Sequence, residues 1–127
     1  MSGDGEPAAR PRVVVVGPCA SGKTTLVDRL RAVGVDARVS AQEHSIVRDL
    51  WARMQPDYLV FLDVDLKTLR SRRAPTWPES VYLAQQKRLA PARHAADVVI
   101  DTTAHDASEV FEAVLAKIRA SLPQKRD

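Results

Sequence analysis

The sequence predicts an α/β fold: a three-layer α/β/α sandwich around a mainly parallel sheet of about four strands. Three observations predict it. Val13-Val14-Val15-Val16 is an unbroken β-branched run closed by Gly17, as expected of a strand buried on both faces. Two similar apolar runs, Tyr58–Leu62 and Asp97–Asp101, recur along the chain. Segments of helical period separate these runs, which implies parallel pairing through right-handed crossovers, with helices on both sheet faces.

The elements follow in order. After the first strand, Leu26, Leu30 and Val33 recur at i, i+4 and i+7, and Gly34 stands where a helix cap belongs. A weaker strand is expected at about 35–40. Ile46, Val47, Leu50, Trp51 and Met54 mark one face of a second helix, ended before Pro56. The strand at Tyr58–Leu62 leads through Asp63 into a short basic helix at 66–73. Ala74-Pro75-Thr76-Trp77-Pro78 breaks the pattern, and residues 79–93 are helical again, with a kink expected at Pro91. The strand around Val98-Val99-Ile100 comes next. Asp106 with Glu109 forms a capping box for a last helix whose buried stripe is Val110, Val114, Leu115 and Ile118. The expected organisation is a tail at 1–11, one domain at 12–122 with a short lid at about 70–93, and a frayed end at 123–127 after Pro123.

Composition narrows the function classes. With 127 residues and 45% apolar content, the chain can bury a core without disulfides or a structural metal. One cysteine excludes an internal disulfide and a cysteine-rich zinc site. No apolar run approaches the roughly 20 residues of a membrane span. The acidic start, Met1-Ser2-Gly3-Asp4-Gly5-Glu6, lacks a secretory pattern, so the expectation is a cytoplasmic protein without a membrane partner. A net charge of +3 is too small to announce a nucleic-acid binder, which makes that partner unlikely. The charge is concentrated, however. Residues 67–93 carry seven basic side chains (Lys67, Arg70, Arg72, Arg73, Lys87, Arg88, Arg93) against the single acid Glu79, so this segment should face something anionic.

Gly17-Pro18-Cys19-Ala20-Ser21-Gly22-Lys23-Thr24 matches the phosphate-loop pattern G-x-x-x-x-G-K-S/T at every specified position, between an apolar strand and an amphipathic helix. Its glycines let successive N–H groups converge on one anion, and the helix amino terminus adds about half a positive charge behind them. Lys23 is expected to reach the β- and γ-phosphates, Thr24 to ligate magnesium, and Thr25 to join Gly17–Thr24 in holding the nucleotide. Cys19 fills one of the unspecified positions of the loop.

On these residues the sequence resembles the phosphate-loop NTPases over nearly the whole body, Val13 to about Leu122. Within them it resembles the small nucleotide- and metabolite-kinase group. The resemblance implies ATP and magnesium as cofactors, a small-molecule phosphate acceptor, and lid arginines after the strand ending at Asp63. Arg70, Arg72 and Arg73 stand there, and Arg70 and Arg73 are the expected clamps on the phosphates, with Arg88 or Arg93 approaching from the other lid helix. The resemblance also makes the strand before Thr102 the last one, so Thr102 to His105, and Thr102 and Thr103 above all, are candidate contacts to the base. Two departures stand out. The acceptor-binding insert is missing, since only about twenty residues separate Gly34 from Tyr58. No run of four apolar residues ending in Asp is expected beside the loop strand as the usual second metal-binding motif; the nearest substitutes are Glu43, after the weak second strand, and Asp63, after the third.

Phosphoryl transfer requires aligned reactants, a metal, cations around the moving group and often a base. Gln42-Glu43-His44-Ser45 is expected to leave a strand and open a helix at the same cleft. Glu43 either holds magnesium through water, acts as the base, or merely favours the helix start; His44 either binds the acceptor or caps. Asp63 is the competing base, or simply the polar exit of a buried strand. Trp77 either covers the site or packs on the helices, and His94 and His105 read as surface residues. The leading expectation is a kinase of a small metabolite or nucleotide. The alternative is a regulatory or degenerate member that binds nucleotide without transfer. A GTPase switch fits less well, lacking Asp-x-x-Gly and the guanine-reading Asn/Thr-Lys-x-Asp.

Overall fold

A computed structural model describes residues 10–121. The expected tail at 1–11 lies outside the described residues except for Arg10 and Pro11. So does the expected frayed end at 123–127.

Four strands form one all-parallel sheet: β1 (Arg12–Val16), β2 (Asp36–Val39), β3 (Tyr58–Asp63) and β4 (Val98–Asp101). Their order is β2-β1-β3-β4. Among the described residues, five α-helices accompany them: α1 (Lys23–Ala32), α2 (Leu50–Arg53), α3 (Leu66–Arg72), α4 (Glu79–Ala95) and α5 (Ala107–Ser121). Among the described residues, no helix is long and apolar enough to cross a membrane.

Strand pleating divides the core in two. Val13, Val15, Val60 and Leu62 point to one face, where they meet Leu26 and Leu30 of α1 and Val110, Val114 and Ile118 of α5. Val14, Val16, Leu59 and Phe61 point to the other, against Leu89 and Ala92 of α4, with Trp51 and Met54 packed alongside. Helices therefore cover both faces, as a three-layer arrangement requires, and the β1 valines are fully buried because each face has a helical cover. A third, smaller cluster joins Cys19, Val64 and Leu69, with Trp77 and Tyr82 against it. Trp77 thus packs on the helices.

The last helix follows its sequence signals closely. The Asp106 N–H donates to Glu109 Oε1 at 2.9 Å, the Glu109 N–H returns a bond to Asp106 Oδ1 at 2.8 Å, and all four stripe residues are buried. In α4, Pro91 sits inside the helix and has no N–H for the Lys87 carbonyl.

The second helix departs from expectation. Residues 42–44 form a single 3₁₀ turn, Ile46 is 84% exposed, and α2 starts only at Leu50. The cause is Gln42, which is fully buried. Its carboxamide donates to the Val47 carbonyl at 2.6 Å and accepts from the Trp51 N–H at 3.0 Å. Those two bonds hold the intervening chain in a loop and bring only Trp51 and Met54 onto the sheet.

The chain builds β2 on one side of β1 and β3 on the other, so the sheet has a switch point between β1 and β3. Ligands of open parallel sheets collect at the carboxyl ends of the strands at such a point. The loop following β1 lies there.

Candidate functional site

The site begins where β1 ends. At Gly17 the chain passes so close to β3 that an added Cβ would sit 2.7 Å from Ser21 Oγ and well inside contact with the Leu62 carbonyl oxygen. Only glycine fits this approach. Pro18 to Ser21 then form a tight turn, the Ser21 N–H donating to the Pro18 carbonyl at 3.2 Å. Ala20 (φ 62) and Gly22 (φ 99) take left-handed backbone conformations that curl the loop under α1. Gly22 is the N-cap of α1, and no side chain caps that end. The helix therefore presents uncapped N–H groups and its positive pole to whatever the loop encloses.

Lys23 is buried, at 8% exposure, and folds back over the loop. Its ammonium donates to the carbonyls of Gly17 (2.8 Å) and Pro18 (3.0 Å) and pairs with Glu43 Oε2 at 2.9 Å. Glu43 is 4% exposed, and its Oε1 has no hydrogen-bond partner. A buried carboxylate oxygen without a partner is costly, so this one is suited to a cation. The 42–44 turn thus carries Glu43 against Lys23 at the loop after β1. His44 is exposed, with Nε2 at 3.6 Å from Glu43 Oε2 and 3.7 Å from Cys19 Sγ. Thr24 and Thr25 are exposed in the first turn of α1.

Beside the loop opens a cleft of about 460 Å³, within the size range of small-molecule sites. Ala20, Ser21, Gly22 and Thr25 form one wall, and Thr102 and His105 the opposite one. Leu26 and Val110 give it an apolar floor, and Arg72 and Arg73 border it. Its lining thus combines two arginines and the Ser21, Thr25 and Thr102 hydroxyls with the apolar Leu26 and Val110.

The lid arginines divide their work. Arg72 spans the cleft: it donates to the Ala20 carbonyl at 2.8 Å, the Thr102 carbonyl at 2.8 Å and Thr102 Oγ1 at 3.3 Å. Arg73 lines the cleft, whereas Arg70 does not; the Arg70 Nε–H bonds the Trp77 carbonyl at 2.9 Å. Position 73 lies past the end of α3, so helical spacing does not describe its direction. Thr102 and Thr103 tie the strand ends together: Thr102 Oγ1 donates to the Asp63 carbonyl, and Thr103 Oγ1 accepts from the Asp65 N–H. Of the two, only Thr102 lines the cleft.

Asp63 is committed elsewhere. Its carboxylate pairs with Arg93, whose guanidinium also lies 5.3 Å from the Phe61 ring centroid, and it accepts from the Val64 N–H and Gln86. Nearby, burial first and the Asp63 charge second push the Tyr82 phenol above its ordinary pKa. The Tyr82 hydroxyl donates to the Val64 carbonyl at 2.8 Å.

Sequence reasoning missed Gln85, which is buried within α4. Its Oε1 accepts from the Cys19 N–H at 3.1 Å and its Nε2 donates to Cys19 Sγ at 3.3 Å, so α4 is pinned to the loop. The signal was available: Gln85, Leu89 and Ala92 recur at i, i+4 and i+7, placing the amide on the buried stripe. Arg88 adds a second tie, donating to the Glu43 carbonyl at 3.3 Å. No protein-family model matches the chain, and no curated protein matches its sequence.

Proposed function

We propose that the chain is an ATP- and magnesium-binding phosphate-loop protein, related to the small nucleotide and metabolite kinases, that transfers the γ-phosphate of ATP to a small metabolite or nucleotide. The observation that carries this reading is the junction of three parts. They are a glycine-built loop under an uncapped helix terminus, a buried lysine bonded to that loop, and a cleft of about 460 Å³ running from the loop to Thr102.

In this reading the loop N–H groups and the α1 terminus hold the phosphates, and the apolar floor takes the base. Lys23 exchanges the Gly17 and Pro18 carbonyls for β- and γ-phosphate oxygens; its long stem makes that a small movement. The Thr24 hydroxyl and Glu43 are the residues that would hold magnesium, and the unpartnered Glu43 Oε1 fits that role. Magnesium supplies charge neutralisation on the phosphates. Arg72 and Arg73 contribute positive charge at the cleft rim. Transfer forms a bond from the acceptor oxygen to the γ-phosphorus and breaks the bond to ADP. With Glu43 holding magnesium, the acceptor proton passes to solvent; Glu43 serves as the base only in the alternative in which it does not ligate the metal.

Calorimetric titration with ATP and magnesium tests the reading. Saturable heat that disappears in Lys23→Met supports it; no heat from the unmodified chain overturns it. A second reading, a nucleotide-dependent regulator without transfer, is favoured by Gln85 and Arg88, which hold α4 against the loop and the 42–44 turn where an acceptor would enter. Incubation of labelled ATP with pooled nucleosides, sugars and hydroxy acids separates the two. Label in any pool selects the kinase, and label in none selects the regulator.

A further inference from the structure

Cys19, Glu43 and His44 bring one sulfur, one carboxylate oxygen and one imidazole nitrogen within 4.8 Å of one another. We propose that these three side chains form a zinc site that ties the loop after β1 to the 42–44 turn.

Two of the three spacings fit the ion. Tetrahedral zinc with sulfur at about 2.3 Å and nitrogen or oxygen at about 2.0–2.2 Å places its ligands roughly 3.4–3.6 Å apart. Here Cys19 Sγ stands 3.7 Å from His44 Nε2, and that nitrogen stands 3.6 Å from Glu43 Oε2. The donor set is one soft sulfur, one imidazole and one carboxylate, which selects zinc over the hard oxygen-seeking cations.

Independently of the spacing, Glu43 Oε1 is buried without a partner. The oxygen that faces His44, Oε2, also pairs with Lys23 at 2.9 Å, and rotation about the soft terminal torsion of the glutamate can present the unpartnered Oε1 to the metal while Oε2 stays on Lys23. Gln85 supports the site from behind, since its Nε2–H bond to Cys19 Sγ at 3.3 Å fixes the sulfur's direction. His44, whose side chain is 61% exposed, leaves a side open to solvent for a fourth, water ligand. On binding, the thiol releases its proton to solvent as the sulfur–zinc bond forms, and no oxidant is needed.

Glu43 also belongs to the proposed magnesium site, so the test runs on the full chain without nucleotide or magnesium, and its failure is separate from failure of the nucleotide reading. Zinc is titrated into chelator-stripped protein against a chromophoric chelator, and cobalt is substituted for spectroscopy. The expected result is one equivalent of zinc and a sulfur-to-cobalt charge-transfer band. Cys19→Ser should abolish the band, and His44→Ala should weaken zinc binding by roughly tenfold or more. His44→Ala removes an exposed side chain and keeps the test valid should Cys19→Ser fold poorly. Lys23→Met should still bind zinc while losing ATP. Substoichiometric zinc, absence of the band, or affinity indifferent to His44→Ala overturns the proposal.

Discussion

Replacing Gly17 by alanine is the sharpest probe of how the loop is seated. A Cβ there meets Ser21 Oγ at 2.7 Å and the Leu62 carbonyl carbon at 3.2 Å, with the carbonyl oxygen closer still. The Leu62 atoms are backbone in the middle of the sheet, where Val16 pairs with Phe61, so no rotamer change relieves the clash. The ends of β1 and β3 must separate instead, and overpacking of this kind costs about 3 kcal/mol. For a chain of this size that lowers Tm by roughly 10 °C. Gly22→Ala is the control. Nothing lies within 4 Å of its added Cβ, so only the φ of 99 is strained, at about 1–2 kcal/mol. Urea unfolding monitored by tryptophan fluorescence and circular dichroism measures both. Should Gly17→Ala prove no less stable than Gly22→Ala, the close approach of loop and β3 is wrong, and the site built on it falls too.

Other expectations follow from the same contacts. Lys23→Met strands the Glu43 carboxylate in a buried position and should cost about 3 kcal/mol, of which at least ~1 returns in Lys23→Met/Glu43→Gln; simple additivity in urea melts would refute the coupling. Arg72→Ala, which removes the bridge between Ala20 and Thr102, should weaken ATP binding about tenfold, whereas Arg70→Ala should change it less than about twofold, both by calorimetry. Asp65 caps α3, and hydrogen bonds from the Thr68 side chain and then its backbone N–H hold the carboxyl below the usual aspartate pKa. A lowered folded-state pKa means this stabilisation is full above the unfolded value near 3.8 and fades as pH falls through the folded one. Acid titration of stability should therefore be steeper below pH 4 in the unmodified chain than in Asp65→Asn.

Much of the fold was legible because its signals are local. Four consecutive valines need cover on two sides, and alternating helical segments can provide it. The Asp106–Glu109 box and the α5 stripe repeat within one or two turns, so they survive any tertiary context. The region after β2 was less legible because its organiser, Gln42, acts by burying an amide among backbone groups five and nine residues away. An apolar pattern from Ile46 to Met54 carries no trace of that capture. The arginines divide for a similar reason. Sequence singled out Arg70 and Arg73, but the structure brings Arg72 and Arg73 to the cleft and leaves Arg70 on the Trp77 carbonyl, because packing between elements decides which arginine faces it.

The sequence by itself determined a strand–loop–helix unit and a parallel sheet to carry it, since each depends on neighbours a few residues apart. Only the tertiary structure decided that Glu43 closes on Lys23, that Gln85 grips Cys19 across 66 residues, and that Arg72 spans the cleft. Those contacts join different elements, and burial, which sets their strength, does not exist until the helices have packed on the sheet.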